Sequence, residues 1–250
     1  MSYDLIGDVH GCTSELVILL EALGYGVSRD GANVTPSPGR SAVFLGDLVN
    51  RGPDTPGVLR LVMSMAAAGT ATCVAGNHDV ALANALAGRP AEKVDALRES
   101  LEQLDPESAA FKQRVVEFIE SLPRQLSLDA GRLVVAHAGL PAEYHGTASS
   151  EADDFAINGR WLTDKAGEKV RYRWAEDYRG EATVVYGHYS QLAATWLNGT
   201  ICIDTGCVYG GRLTALRYPE RDLVSVPAAR VYYESRRSQE FRAAALAGGG

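Results

Sequence analysis

Short apolar runs, each closed by a glycine and followed by polar residues, recur along the first third of the chain. Residues 3–7 form the first run and read as a buried strand. Leu16, Leu19, Leu20 and Leu23 then recur at i, i+3, i+4 and i+7, which predicts a helix with Thr13 as its N-cap. Residues 41–46 read as a second strand, followed by a Gly-Pro turn and an apolar helix ending near Gly69. Residues 70–76 read as a third, with another helix from about Asp79. Strands alternating with helices predict parallel pairing in this part of the chain.

Between residues 90 and 122 the strand pattern disappears. Phe111, Val115, Phe118, Ile119 and Leu122 share one helical face that ends at Pro123, so two or three helices are expected there as an insertion. The rest turns β-rich, with short runs at 126–128, 133–136, 183–186, 195–197, 201–204, 213–218 and 223–226. Asp129-Ala130-Gly131 and Asn198-Gly199 carry hairpin-turn chemistry. With no repeat and no linker, residues 1–234 are expected to form one domain, and 235–250 a disordered tail.

Composition narrows the class. A chain of 250 residues, 46% hydrophobic and 22% charged, is long enough for one well-buried core. Its net charge of -7 argues against coating nucleic acid along its length, which calls for basic surface, although a local patch would suffice for an end. Cys12, Cys73, Cys202 and Cys207 show no C-x-x-C spacing and are expected to be buried reduced thiols. The N-terminus lacks a basic, then apolar, leader, and no apolar run approaches the ~20 residues of a membrane span, so a cytoplasmic protein with no membrane partner is expected.

The chemistry lies at the ends of the apolar runs. They read LIG-Asp8-Val-His10, VFLG-Asp47, VAG-Asn77-His78-Asp79, LVVA-His137 and VVYG-His188. Four of the five histidines sit at these ends, His145 being the exception. A lone histidine or Gly-Asp after a strand is ordinarily a packed or turn residue, but five strand ends in series are hard to explain that way. In open α/β sheets the C-terminal strand edge is where sites assemble. Asp8, His10, Asp47, Asn77, His137 and His188 exceed the needs of one tetrahedral ion, and Asp47 is placed to bridge two. Mixed oxygen and imidazole donors suit two divalent cations, Mn²⁺ first, with Fe, Zn, Ni and Mg as alternatives.

The ordered motifs G-D-x-H-G, G-D-x-x-x-R-G-P, G-N-H-D, H-A-G and G-H, from Gly7 to His188, resemble the calcineurin-like phosphoprotein-phosphatase family. The resemblance implies an α/β, four-layer αββα sandwich of two mixed sheets flanked by helices, carrying a dinuclear metal centre. By motif, it implies that Asp8, His10 and Asp47 hold one ion, and Asp47, Asn77, His137 and His188 the other. It implies a phosphate-clamping role for Arg51, whose planar fork suits phosphate oxygens, and a proton-donating role for His78. Residues 7–25, 51–62 and 201–234 also resemble the phosphatase domain of bacterial polynucleotide kinase-phosphatases. That likeness implies Asp204 as a further active-site residue, and removal of phosphate from nucleic-acid ends or nucleotides.

One position departs from the family. Asn50 stands where the family carries an acid, so His78 loses the carboxylate that would keep it protonated and should be a weaker acid. Symmetrical dinucleoside tetraphosphatases share that departure, and resemble this chain in TGCVYGG-x-LTALR and Gly187-His188-Tyr189-Ser190. The first expectation is therefore a phosphatase of nucleic-acid ends. A symmetrical dinucleoside tetraphosphate hydrolase is the alternative, with a protein serine/threonine phosphatase or a non-catalytic binding module behind it. On the substrate side, Arg160, Lys165, Lys169, Arg171, Arg173 and Arg179 alternate with Trp161, Tyr172, Trp174 and Tyr178. This pattern fits a phosphate backbone and a stacked base, with Arg173 as a substrate-binding candidate, or else a solvated loop diluted by Asp164, Glu168, Glu176 and Asp177.

Overall fold

The computed structural model describes residues 2–28, 33–91 and 94–247. In chain order the elements are β1 (Ser2–Ile6), α1 (Thr13–Ala22), β2 (Gly26–Val27), β3 (Val34–Thr35), β4 (Arg40–Phe44), α2 (Thr55–Ala67), β5 (Ala71–Cys73), α3 (Asn77–Leu86), α4 (Val94–Leu104) and α5 (Ala109–Ser121). There follow β6 (Gln125–Leu128), β7 (Leu133–Ala136), α6 (Ser150–Asn158), β8 (Trp161–Thr163), β9 (Lys169–Arg171), α7 (Trp174–Asp177) and β10 (Thr183–Tyr186). The last are β11 (Trp196–Leu197), β12 (Thr200–Cys202), β13 (Arg212–Tyr218), β14 (Asp222–Pro227) and α8 (Arg236–Ala247).

Two five-stranded sheets form the centre, ordered β14-β13-β1-β4-β5 and β11-β12-β10-β7-β6. Each has a parallel core, β1-β4-β5 in one and β7-β10-β12 in the other, with antiparallel strands outside it. Strand alternation decides what each face meets. Tyr3, Leu5, Val43, Leu45, Leu133, Val135, Val185, Ile201 and Leu216 pack between the sheets. The intervening Ile6, Ala42 and Phe44 turn outward onto Leu16, Leu19 and Leu20 of α1, Val58 and Leu59 of α2, and Phe111 and Val115 of α5. On the outer face of the second sheet, Val134, Ala136, Val184 and Tyr186 meet Phe155 of α6, Trp174 of α7 and Tyr178. Each fully buried large side chain contributes about 1.5–3 kcal/mol. The result is the expected four-layer αββα sandwich.

Both expected hairpin turns are present, joining β6 to β7 and β11 to β12, and Asn198 and Gly199 take φ 49° and 78° as a type I′ turn requires. Two helices, α4 and α5, occupy the stretch where an insertion was expected.

Three expectations are corrected. Thr13 does not cap α1; the N-cap is Cys12, and the Thr13 hydroxyl donates instead to the Asp54 carbonyl (3.1 Å), tying the first loop to the second. The tail expected to be disordered forms α8 to Ala247, because Phe241 is buried against Gly206 and Gly211; residues 248–250 lie outside the described ones. The stretch from 160 to 179, readable as a loop, holds the β8-β9 hairpin and α7. Among the described residues no helix is long and apolar enough to cross a membrane.

Candidate metal centre

All six parallel-core strands end toward one edge, and the loop after each end delivers a polar group there. β1 leads to Asp8 and His10, β4 to Asp47, β5 to Asn77 and His78, β7 to His137, β10 to His188 and β12 to Asp204. The backbone is forced into unusual conformations to do this. Of nine non-glycine residues with positive φ among those described, five are His10, Asp47, Asn50, Arg51 and His188. Such conformations cost about 1–3 kcal/mol each and cluster where function requires them. Two glycines allow the loops to close. A Cβ on Gly187 would lie 1.9 Å from Asp8 Oδ1, and one on Gly76 would lie 2.1 Å from the Asp47 nitrogen.

Asp47 stands between two groups of donors. On one side, its Oδ2 lies 3.6 Å from His10 Nε2; on the other, it lies 3.4 Å from His137 Nε2. The ligand-type atoms of His10, Asp47 and His78 lie within 4.8 Å of one another, as do those of Asp47, His137 and His188. His137 Nε2, His188 Nδ1 and Asn77 Oδ1 are mutually 2.9–3.2 Å apart. The tautomers are set from behind: His10 Nδ1–H donates to the Val49 carbonyl (2.9 Å) and His137 Nδ1–H to the Leu45 carbonyl (2.8 Å). In each ring Nε2 is therefore the nitrogen turned inward, as in ligating histidines.

This donor set fits divalent cations. Asp8, Asp47 and Asp204 are buried, and Asp8 Oδ1 has no hydrogen-bond partner among the described residues. Burial and repulsion from Asp204 hold the Asp8 carboxyl well above the usual range, and burial likewise raises Asp204. For Asp47, burial pushes the same way, but the imidazoles of His137, His78 and His10 outweigh it and hold the carboxyl well below the usual range. His137 resists the lowering effect of burial because Asp47 and Asp8 face it, and its pKa rises to about 10. His10 falls to about 4, through burial and the Arg51 charge. Converging acceptors, crowded carboxylates and one orphaned oxygen are what a pair of cations would satisfy.

The structure also places the remaining candidates. Arg51 Nη1 donates to His10 Nε2 (3.2 Å), and its guanidinium lies 5.6 Å from the Tyr209 ring and 5.7 Å from that of Tyr233. Asn50 is fully buried; its Oδ1 accepts from the Arg51 nitrogen (2.9 Å), which leaves Nδ2 facing His78 Nδ1 at 2.7 Å. Asp204 accepts from the Ser190 hydroxyl (2.7 Å) and the Gly206 nitrogen (3.0 Å). Arg173 is not beside the Asp47 cluster; it pairs with exposed Glu176 (2.9 Å) and lines a cavity that begins at Tyr189.

Several contributors escaped the sequence reading. Asp79 accepts from the Leu48 and Gly76 nitrogens (2.9 and 3.0 Å), fixing the Asp47 and Asn77 loops together. Burial and Asp47 raise its pKa to about 7. Its position three residues into a helix is the usual place for a carboxylate bonding the N-cap nitrogen, and that signal was legible. Tyr209 and Tyr233, whose rings both pack against Arg51, carry no such local signal.

Comparison with known proteins agrees with this geometry. The model of the calcineurin-like phosphoesterases matches residues 1–224, so the chain belongs to that family and is a metal-dependent hydrolase. A protein of Anoxybacillus flavithermus named bis(5'-nucleosyl)-tetraphosphatase PrpE [asymmetrical] is 39% identical over 238 residues, covering 93% of this chain and 96% of that one. The first likeness expected from sequence was to polynucleotide kinase-phosphatases, and the alternative was to symmetrical tetraphosphatases, whereas this relative's name is of the asymmetrical type. A crystal structure described as a candidate diadenosine tetraphosphatase matches with TM-score 0.67 and 28% identity, over 91% of this chain and 93% of that one. A protein serine/threonine phosphatase of Saccharomyces cerevisiae shares the fold, at TM-score 0.60 and 14% identity over 91% and 79%.

Proposed function

We propose that this calcineurin-like phosphoesterase hydrolyses a phosphoanhydride bond of a nucleotide, with dinucleoside polyphosphates as its substrate class. The observation that carries the reading is the Asn50–His78 contact. The Arg51 nitrogen occupies Asn50 Oδ1, so the amide NH₂ donates to His78 Nδ1, which must then present a lone pair. That contact favours the tautomer with its hydrogen on Nε2. A neutral imidazole donates a hydrogen bond but gives up a proton poorly. A nucleoside alkoxide needs that proton to leave; a nucleotide phosphate, whose second pKa is near about 6, leaves without it. The name and 96% coverage of the tetraphosphatase relative support the same substrate class.

Asp8, His10 and Asp47 would hold one divalent ion, and Asp47, Asn77, His137 and His188 the other. When bound, such a pair lowers the pKa of a water between them and neutralises phosphoryl oxygens. The chain's own residues supply the rest. The Leu45 and Val49 carbonyls orient His137 and His10. The Arg51 fork, backed by the rings of Tyr209 and Tyr233, is poised to bond the oxygens of the reacting phosphate as charge builds on them. His78 donates a hydrogen bond to the departing oxygen, and Asp79 keeps the two loops in register.

The test is kcat/KM on diadenosine tetraphosphate against a 3′-phosphorylated oligonucleotide, with Mn²⁺ and with chelator. We expect the tetraphosphate to be preferred by about 100-fold or more, roughly 2.7 kcal/mol of barrier, with turnover lost in chelator. Preference for the oligonucleotide would restore the nucleic-acid-end reading. Turnover that persists in chelator would remove the metal centre from the chemistry.

A further inference from the structure

We infer that the cavity beginning at Tyr189 is the binding site for the phosphate chain that extends beyond the reacting phosphorus, a subsite for linear polyphosphate. The inference rests on the nucleotide reading above. Among the cavities near the metal centre, two that share no residue contrast in charge. One, of about 330 Å³, is lined by Asn77, His78, Asn84 and Asn158 with apolar residues from α3, α4 and α6, and carries no formally charged side chain. The other, of about 290 Å³, is lined by Arg171, Arg173 and Arg237 against a single acid, Glu176.

The second cavity is walled in part by Tyr189 and Ser190, the residues that follow His188. The Tyr189 ring packs 4.5 Å from that of His188, and the Ser190 hydroxyl bonds Asp204 (2.7 Å). A chain of phosphates that runs from Asp47 past His188 would meet the three arginines of this cavity.

The three arginines differ in how far they are already satisfied. Arg173 bonds Glu176, and Arg237 bonds the Ser190 carbonyl and Glu240. Arg171 has no carboxylate or carbonyl partner for its guanidinium among the described residues, and stacks 4.1 Å above the Tyr189 ring. Stacking leaves the edge of the fork available, and that edge is what a phosphate oxygen pair takes. On a chain of net charge -7, an arginine held without an anion beside a metal centre marks a place for a ligand's negative charge. The β8-β9 hairpin positions it, since Arg171 ends β9 and pairs with Trp161.

The test uses inorganic anions as inhibitors of aryl-phosphate turnover, so it does not depend on diadenosine tetraphosphate being a substrate. Inhibition constants of tripolyphosphate and orthophosphate are measured at fixed free Mn²⁺ for wild type, Arg171→Ala, Arg171→Lys and Arg132→Ala. Arg132, at the far end of β7 from His137, controls for lost net charge. We expect Arg171→Ala to weaken tripolyphosphate about tenfold and orthophosphate less than twofold, Arg171→Lys to recover part of the loss, and Arg132→Ala to match wild type. Equal weakening of both anions, an unchanged tripolyphosphate constant, or an equal effect of Arg132→Ala overturns the subsite. If Arg171→Ala loses its fold, as judged by its melting temperature, Arg171→Lys and Arg173→Ala carry the same comparison.

Discussion

The two sides of Asp47 are built from similar atoms and behave differently. On the His137 side, His137 Nε2, His188 Nδ1 and Asn77 Oδ1 crowd within 3.2 Å, and Asp47 and Asp8 outweigh burial to raise His137 to about 10. On the His10 side, Arg51 already supplies a fixed positive charge, bonds His10 Nε2 and contributes to lowering that histidine to about 4. Both effects follow from Coulomb's law in a buried setting, with opposite signs. The difference teaches that a dinuclear site need not be symmetrical in affinity. The side that craves a cation should hold one tightly; the side with a built-in guanidinium should fill second, and leave its arginine available for substrate.

The largest expected effect tests whether Asp47 joins the two sides at all. Asp47→Ala should lower kcat/KM by about 10³-fold or more, roughly 4 kcal/mol, since it removes the oxygen common to both groups. The asymmetry itself is checked by metal stoichiometry after gel filtration. His10→Ala should retain about one ion per chain and His137→Ala close to none. Equal retention by the two variants would mean that the electrostatic contrast does not govern affinity.

Removing Arg51 sharpens the comparison at the next magnitude. Arg51→Ala should lower kcat/KM by about 10²-fold, as loss of one preorganised charge-stabilising donor does. The same change frees His10 Nε2, so metal occupancy should hold or rise. A variant that loses metal or melts early would make Arg51 a structural residue, which its packing against Tyr209 and Tyr233 gives some reason to test.

How much of this was legible in sequence differs between regions for physical reasons. The residues at strand ends were readable because a buried strand announces itself as a short apolar run, and the next polar residue marks the sheet edge. Asp47 and His137 needed nothing more. Tyr209, Tyr233 and Phe241 became visible only in three dimensions, because the chain returns to cover Arg51 and Gly206 from far along the sequence. The β8-β9 hairpin hid for a different reason. Trp161, Leu162 and Val170 are all exposed, so no buried face imposes the alternation by which strands are recognised. The N-cap of α6 was legible and went unread: the Ser149 hydroxyl accepts from the Ala152 nitrogen (3.2 Å), as the run Ser-Ser-Glu-Ala-Asp-Asp suggests. The choice of substrate rested on one position, Asn50, whose meaning depended on which of its atoms faces His78.

The smallest expected effect concerns that position, and separates what Arg51 does from what His78 does. In Asn50→Asp the Arg51 nitrogen still finds an acceptor, but the second oxygen facing His78 Nδ1 now accepts where the amide donated. His78 must take up a hydrogen on Nδ1, and a buried carboxylate beside it favours the charged ring, which is a competent acid. The gain should be confined to substrates whose leaving group needs a proton. About tenfold in kcat/KM is expected for a nucleoside 3′-phosphate, roughly 1.4 kcal/mol, and less than twofold for diadenosine tetraphosphate or an aryl phosphate. Some of the gain is offset by placing another carboxylate near Asp47 and Asp79 in a site already crowded with buried acids. The control is the double variant Asn50→Asp/His78→Ala, in which the gain should vanish because the proton has no carrier. A gain that survives loss of His78, or that is equal for ester and anhydride, would mean that the amide sets something other than the imidazole's hydrogen. The preference for anhydrides would then rest on the comparison with relatives alone.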